Sequence, residues 1–155
     1  MSKRTAVLVT GSRDWTEYGP IKKRLALYPE GSILIHGDCG RYVDSEDVAI
    51  TNMVTIGADK IAGCIGRSLH FNEWPLPYFG DLGKRGGPAR NKCMFDVLRA
   101  LKEGGHECFV EAFPIGRSVG TRGMLSIVKS YNDAAHYGNG QLHHTPIPVH
   151  VTEGK

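Results

Sequence analysis

The sequence predicts one α/β domain built of three layers, in which helices cover both faces of a mostly parallel, five-stranded sheet. Short apolar runs alternate along the chain with amphipathic stretches of helical period, which is the pattern of β-α-β units. The 155 residues match the length of a single domain. With 41% hydrophobic and 23% charged residues, the composition is typical of a globular protein.

Five segments have the character of strands. Residues 6–9 form a short β-branched run, as expected of a central strand that is buried on both faces. Residues 32–36 and 107–113 are further apolar strands, and residues 71–75 are predicted as a short edge strand. Residues 145–151 contain two prolines, which cannot donate to a sheet ladder, so this last strand is also expected at an edge.

Amphipathic stretches lie between these strands. Apolar residues recur in them at spacings of three and four, which predicts helices that pack on the sheet. The acidic segment DSED is predicted to cap an additional short helix. The predicted helices cover residues 20–28, 48–54, 57–69, 89–101 and 120–131.

Composition and motifs exclude several classes of function. The net charge is +3 and the basic residues are scattered, so nucleic-acid binding is not expected. The four cysteines form no CxxC pair and no signal-peptide pattern precedes them, which favours reduced thiols and a cytoplasmic location. No apolar stretch approaches the length of about 18 residues that a membrane span needs, so no membrane contact is expected. The histidines match no metal-binding motif, and neither a metal nor a cofactor is expected.

Glycines and polar residues follow the strands at their carboxyl ends. Parallel strands place these ends on one edge of the sheet, where ligands of such folds bind. The candidate ligand-binding residues are Gly11, Ser12 and Arg13 after the first strand, Gly37 and Asp38 after the second, Lys84, Arg90 and Asn91 around the start of the third long helix, and Gly116, Arg117, Gly120 and Thr121 after the fourth strand.

The segment GRSVGT, residues 116–121, has the most specific chemistry. Gly116 and Gly120 permit a tight turn and the close approach of a ligand. Gly120 and Thr121 begin a helix, whose free amides and positive dipole end favour an anion such as phosphate. The Thr121 hydroxyl would be a further donor. A glycine-rich turn with Thr121 as a helix cap is the alternative.

Several other side chains have more than one interpretation. Arg90 lies at a helix start, where a cation opposes the dipole, so a ligand contact competes with a solvated arginine. Asp38 and Asp59 can orient ribose hydroxyls or cap helices, with capping favoured for Asp59. Asp14 is a helix-cap candidate. Trp15 can stack on a base or pack in the core.

Five segments occur together in an order typical of one known group: VLVTGSRDW, ILIHGD, GADKIA, GKRGGPARNKCM and AFPIGRSVGTRGM. With them the chain resembles the SLOG superfamily, most closely its YspA/YpsA-related branch of small Rossmann-like proteins, over about residues 5–135. This branch is related to the lonely-guy phosphoribohydrolases and to the DNA-processing protein DprA. The resemblance implies a nucleotide or nucleotide-sugar ligand at the carboxyl edge of the sheet and a homodimer or homotetramer. Members are common in phages and in bacterial conflict systems.

The resemblance also implies which residues contact the ligand. These are Gly11, Ser12 and Arg13 in the first loop, Gly37 and Asp38 in the second, Arg90 and Asn91 in the GPxRN element, and Gly116, Gly120 and Thr121 in the phosphate loop.

Two features depart from these relatives. Lonely-guy enzymes carry PGGxGTxxE, whose glutamate helps to cleave the N-glycosidic bond, whereas Arg122, Gly123 and Met124 occupy the matching region here. Residues 39–56 are an insertion that is expected beside the pocket, as a lid or an oligomer contact. The whole chain, residues 1–155, is predicted as one domain with a mobile tail at about 140–155.

These observations favour a binding protein that senses or sequesters a nucleotide, an NAD-derived metabolite such as ADP-ribose, or a cyclic nucleotide signal. A nucleoside 5′-monophosphate N-glycosidase is the alternative, with Asp38 as the candidate catalytic carboxylate and Glu46, Asp47 and Asp59 as further candidates. Single-stranded DNA binding like that of DprA is a third hypothesis, which the scattered charge disfavours.

Overall fold

A computed structural model describes residues 4–44, 53–76, 83, 86–137, 141–142 and 144–155. In chain order the elements are β1 (Thr5–Gly11), α1 (Tyr18–Leu25), β2 (Ile33–His36), β3 (Arg41–Asp44), β4 (Met53–Ile56), α2 (Ala58–Ser68), β5 (Asn72–Pro75), α3 (Gly86–Glu103), β6 (Glu107–Phe113), α4 (Val119–Asp133), β7 (His136–Tyr137), β8 (Gln141–Leu142) and β9 (Val149–Val151).

The central sheet has five strands in the order β5-β2-β1-β6-β9, and every pairing in it is parallel. The chain moves outward from β1 through β2 to β5, then crosses back to place β6 on the other side of β1. The strand order therefore reverses between β1 and β6, which is where ligands of open parallel sheets bind. This architecture confirms the predicted α/β class and a Rossmann-like domain.

Two apolar cores lie on opposite faces of the sheet because successive side chains of a strand point to opposite sides. Ala6 and Leu8 of β1 belong to the core beneath α3 and α4, together with Leu98. Val7 and Val9 belong to the core beneath α1 and α2. All four β1 side chains are fully buried, which explains why this strand is apolar without alternation.

The predicted edge strands are confirmed, since β5 and β9 end the sheet. The prediction of a helix at residues 48–54 is wrong for residues 53 and 54, which the structure describes. Met53 and Val54 belong to β4, which pairs antiparallel with β3, and residues 45–52 lie outside the described part of the chain. The run of Val54, Thr55 and Ile56 is β-branched throughout and favours a strand.

Two glycines join the β3–β4 hairpin to the rest of the domain. Gly40 and Gly57 have φ angles of +129° and +109°, a region that favours glycine. A Cβ at Gly57 would lie 2.6 Å from the Gly40 Cα, so the two backbones touch. The Gly57 amide also donates to the carbonyl of Trp15 at 2.7 Å, which places the hairpin base beside the loop after β1.

The described part of the C-terminal segment packs on β6 and on the loop that follows it. Ile147 is buried in the core beneath α3 and α4. The amides of Thr152 and Gly154 donate to the carbonyls of Ala112 and Pro114 at 2.9 and 2.8 Å. In the described residues no helix is both long and apolar enough for a membrane span.

Candidate functional site

A cavity of about 400 Å³ lies at the reversal point of the strand order. Its walls come from the end of β1 and the loop after it, the loop after β2, the first turn of α2, the second and third turns of α3, and the loop and first turn of α4. The lining residues are Thr10, Gly11, Ser12, Arg13, Asp14, Cys39, Asp59, Arg90, Asn91, Met94, Ile115, Ser118, Val119, Gly120 and Thr121.

Most of the predicted ligand-binding residues share this cavity. Seven of them line it: Gly11, Ser12, Arg13, Arg90, Asn91, Gly120 and Thr121. The remaining four described candidates, Gly37, Asp38, Gly116 and Arg117, are not among its lining residues. Lys84 lies outside the described residues.

The loop after β1 is held by backbone contacts. Ser12 donates its amide to the Phe113 carbonyl at 2.9 Å, and its carbonyl accepts the Ala58 amide at 3.0 Å. A Cβ at Gly11 would lie 2.4 Å from the Ala58 Cβ, so glycine is needed here for the close approach of α2. Arg13 is exposed at the cavity rim, where its guanidinium is available to an anion.

Trp15 and Asp14 are settled by their contacts. Trp15 is 2% exposed and packs edge to face on Phe113, with ring centroids 5.4 Å apart, so it belongs to the core rather than to a stacking site. The Asp14 carboxylate pairs with Arg41 at 3.4 Å. The prediction that Asp14 caps α1 is wrong, because Glu17 holds the N-cap position.

Arg90 is a buried wall of the cavity and not a solvated side chain. It is 8% exposed, and its Nη1 donates to the Gly37 carbonyl at 3.3 Å and to Cys39 Sγ at 2.6 Å. A Cβ at Gly37 would lie 2.9 Å from the Arg90 Cζ. Gly37 therefore contributes to the site by leaving room for the Arg90 guanidinium.

Asp38 lies outside the cavity lining. Its carboxylate pairs with Lys60 at 2.8 Å, and this hydrogen bond raises the pKa of the Lys60 ammonium, against the effect of burial. Its backbone has a φ of +54°. The carboxylate that the sequence favours as a catalytic candidate is thus engaged in an ion pair at the edge of the site.

Asp59 is the carboxylate that lines the cavity beside Cys39 and Arg90. It is 4% exposed, and its Oδ2 accepts the Cys39 amide at 3.1 Å. Among the described residues, its Oδ1 has no hydrogen-bond partner. The prediction that Asp59 caps α2 is wrong, since Gly57 holds that N-cap position.

The electrostatics of Asp59 follow from its burial. Burial raises the pKa of the Asp59 carboxyl, and the neighbouring His36, the Cys39 amide, the Arg90 guanidinium and the Gly37 amide oppose this effect only in part. The Gly37 amide does not reach hydrogen-bond geometry with Oδ1. The protonated form is thus favoured relative to an exposed aspartate. Burial of the Asp59 carboxyl in the cavity wall costs folding free energy. A carboxyl kept at such a position is suited to a ligand contact in either protonation state.

The buried side chain of His36 forms a hydrogen bond that holds the backbone of the loop after β2. The His36 Nδ1 accepts the Asp38 amide at 3.0 Å, so the ring carries its proton on Nε2, which donates to Glu73 at 2.6 Å. Burial would raise the pKa of Glu73, but the hydrogen bonds from His36 and Arg67 outweigh it and the net shift is downward. This pair orients the backbone that leads to Cys39, the neighbour of Asp59 and Arg90.

The N-terminus of α4 forms the other end of the cavity. The first bond within the helix joins the Arg122 amide to the Ser118 carbonyl at 2.9 Å, so the amides of residues 119–121 have no acceptor inside the helix. The first turn holds no acidic residue, so no carboxylate within that turn compensates the positive end of the helix dipole. Thr121 lies inside the helix and is buried, so its alternative role as the cap is wrong.

Asn91 joins the two ends of the site. It is buried, and its Nδ2 donates to the Gly120 carbonyl at 3.0 Å. This bond fixes the start of α4 against the second turn of α3, next to Arg90. Asn91 thus positions the helix end, and its amide group is partly engaged in doing so.

Sequence reasoning did not identify Cys39 as a lining residue. It named Asp38 as the first candidate for a catalytic carboxylate, whereas Asp59 is the one of these two acids that lines the cavity. Cys39 contacts Arg90 across 51 positions and Asp59 across 20, so no local pattern predicts either contact. The GAD segment was a signal for Asp59, because it places an acid in the first turn of a helix, whose amino end is packed against the loop after β1.

The fold and the cavity define the chain as a Rossmann-like α/β domain with a polar cavity at the carboxyl edge of its parallel sheet. No protein-family model matches the chain, and no solved structure matches it. The Gene 61 protein of Mycobacterium phage D29 is 31% identical over 120 residues, which covers 75% of this chain and 82% of the phage protein. The chain belongs to the family of this phage protein.

Proposed function

We propose that the protein binds a phosphorylated small molecule of the nucleotide type in the cavity at the β1–β6 reversal point. The observation that carries this proposal is the N-terminus of α4. Its first residues line the polar cavity, their amides have no acceptor within the helix, and the first turn holds no acid. This is the arrangement that favours a phosphate group. The unpartnered Oδ1 of Asp59 in the same cavity, judged among the described residues, independently favours a ligand there.

The dimensions and the surroundings support the same ligand class. A volume of about 400 Å³ falls within the range of small-molecule pockets. Arg13 adds an exposed positive charge at the rim. The resemblance to SLOG proteins supports a nucleotide, ADP-ribose or a cyclic nucleotide as the occupant.

The role that follows is that of a sensor or a sequestering protein. The SLOG resemblance supports a role in the conflict between phage and host. The SLOG resemblance implies a homodimer or homotetramer, which sedimentation of the purified chain would measure.

Calorimetry tests the proposal with a defined panel: inorganic phosphate, the nucleoside 5′-monophosphates, ADP-ribose, cyclic ADP-ribose and cyclic dinucleotides. We expect at least one of them to bind with a Kd in the micromolar range. The informative variant is Gly120→Asp. A Cβ at Gly120 meets no atom within 4 Å, and an acid in a first helical turn is favourable for folding, but its charge would repel a phosphate.

Gly19→Asp is the matched control. Gly19 lies in the first turn of α1, outside the cavity lining, and also has open space around its Cβ position. We expect Gly120→Asp to weaken binding at least about tenfold, and Gly19→Asp to bind like the wild type. Equal affinities of the two variants, or no binding by the whole panel, would refute the proposal.

A second candidate function is N-glycosidic cleavage of a nucleoside 5′-monophosphate. Asp59 favours it, because a buried carboxyl with a raised pKa in a ligand cavity is suited to general acid catalysis. In this case free base would appear when nucleotide mixtures are incubated with the protein and separated by chromatography. Asp59→Asn should abolish its release, whereas Asp38→Asn, outside the cavity lining, should not.

A further inference from the structure

We infer that Asp59 selects a phosphorylated ligand with a free sugar hydroxyl, so that ribose phosphates and ribonucleotides bind in preference to their deoxy counterparts. The inference rests on the proposed function. It adds that the ligand carries a hydroxyl group at the end opposite its phosphate. It assigns a specificity-determining role to one side chain of the cavity.

The two oxygens of the Asp59 carboxyl differ in their hydrogen-bond partners. Its Oδ2 is engaged by the Cys39 amide, and its Oδ1 has no partner among the described residues although the side chain is buried. Buried polar atoms in folded proteins nearly always have a hydrogen-bond partner, because an unmet one costs free energy. Since Asp59 lines the cavity, a ligand there is the natural source of that partner.

Asp59 is connected to the start of α4, the proposed phosphate site, by hydrogen bonds along one wall of the cavity. Cys39 links Asp59 to Arg90, through its amide to the first and its Sγ to the second. Asn91 is the next residue after Arg90 and holds the Gly120 carbonyl at the start of α4. A ligand along this wall has its phosphate at α4 and its other polar groups at Asp59.

A hydroxyl is the group that fits Asp59 in either protonation state. The carboxylate form of Oδ1 only accepts a hydrogen bond, whereas the protonated carboxyl can also donate one. A hydroxyl both donates and accepts, whereas an ammonium or amide N–H only donates. Because burial favours the protonated form of Asp59, a partner that serves both forms is favoured over one that serves the carboxylate alone.

The experiment compares probes that differ by single hydroxyls. Inorganic phosphate, ribose 5-phosphate, 2-deoxyribose 5-phosphate, AMP, 2′-deoxy-AMP and 3′-deoxy-AMP are titrated into the wild-type protein and into variants. For the wild type we expect ribose 5-phosphate to bind more tightly than 2-deoxyribose 5-phosphate, or AMP more tightly than one of its deoxy forms, by about 5- to 100-fold. The lower end corresponds to a hydrogen bond with the protonated carboxyl and the upper end to one with the carboxylate.

The variants assign this preference to Asp59. Asp59→Ala should reduce the discrimination to less than about threefold, and Asp59→Asn should leave a smaller part of it, since an amide forms only a neutral hydrogen bond. Asp96→Asn is the matched control, because Asp96 is an exposed residue of α3 that pairs with Lys92. It should discriminate like the wild type. If Asp59→Ala does not fold, Asp59→Asn and the wild-type comparison still decide.

The outcomes separate this inference from the proposed function. Failure of the wild-type protein to bind any phosphate-containing probe overturns both. Binding of inorganic phosphate without any gain from the sugar hydroxyls, or a preference that persists in Asp59→Ala, overturns the inference and leaves the phosphate site standing.

Discussion

Replacement of Asp59 by asparagine should stabilise the free protein at neutral pH. Asp59 is 4% exposed and its Oδ1 is unpartnered among the described residues, so the folded chain holds a carboxyl that water would solvate in the unfolded chain. Asparagine keeps the shape and an oxygen for the Cys39 amide, and it removes the charge. An unmet buried group costs about 1–3 kcal/mol, and more when it is charged, so we expect a gain of about 1–2 kcal/mol.

The pH dependence of this gain has a definite sign. Folding raises the pKa of Asp59, so the folded wild-type chain binds more protons than the unfolded chain between the two pKa values. The contribution of Asp59 to stability is therefore greatest below the ordinary aspartate pKa of about 3.9 and falls as the pH rises through the folded pKa. The Asp59→Asn variant would lack this loss, so its advantage should grow from about pH 4 to about pH 8.

Urea unfolding followed by circular dichroism at about pH 4 and about pH 8 measures the difference. A gain of about 1–2 kcal/mol corresponds to a rise in Tm of roughly 2–8 °C for a chain of this size. Asp96→Asn, in an exposed ion pair, should change the free energy of unfolding by less than about 1 kcal/mol at either pH. An Asp59→Asn variant that is less stable than the wild type by the same amount at both pH values would refute the reasoning.

Three further changes test the packing and the ion pairs around the site. Gly11→Ala would place a Cβ 2.4 Å from that of Ala58 and should lower the free energy of unfolding by about 1–3 kcal/mol, measured by urea titration. Arg24→Met should lower the free energy of unfolding by about 3 kcal/mol, because it leaves the buried Glu111 carboxylate without the guanidinium that donates two hydrogen bonds to it. The double variant Arg24→Met/Glu111→Gln should recover part of this loss. A double variant as unstable as Arg24→Met alone would contradict this expectation. Glu73→Gln should lower the free energy of unfolding by about 1–2 kcal/mol at neutral pH. This difference from the wild type should shrink as the pH falls through the lowered pKa of Glu73. Equal differences in thermal unfolding at about pH 7 and about pH 3 would count against this expectation.

The sheet was predictable from the sequence because its signals are local. The β1 run is apolar at every position from Ala6 to Val9 because both of its faces are covered, and the helices show their period along short stretches of chain. The prolines before β9 marked an edge strand for the same local reason. The hairpin of β3 and β4 was missed, since an acidic segment followed by apolar residues has no unique period and the pairing with Arg41–Asp44 decided its structure.

The helix end that lines one side of the cavity was predictable on the same ground. A glycine-rich loop after a buried strand, followed by a helix, defines the free amides at α4 by chain order alone. Gly11 was also identified, but for another reason than the structure shows: its missing side chain admits Ala58 of α2.

What the sequence by itself determined is the α/β class, the edge strands and the anion-favouring helix end, because each depends on residues that are neighbours in the chain. Only the tertiary structure decided that Trp15 is core, that Asp38 pairs with Lys60, and that Asp59 lines the cavity. These assignments depend on burial and on contacts between residues far apart in the chain. A carboxylate has the same sequence signature whether it caps a helix, pairs with a lysine or lines a cavity, and packing alone distinguishes the three.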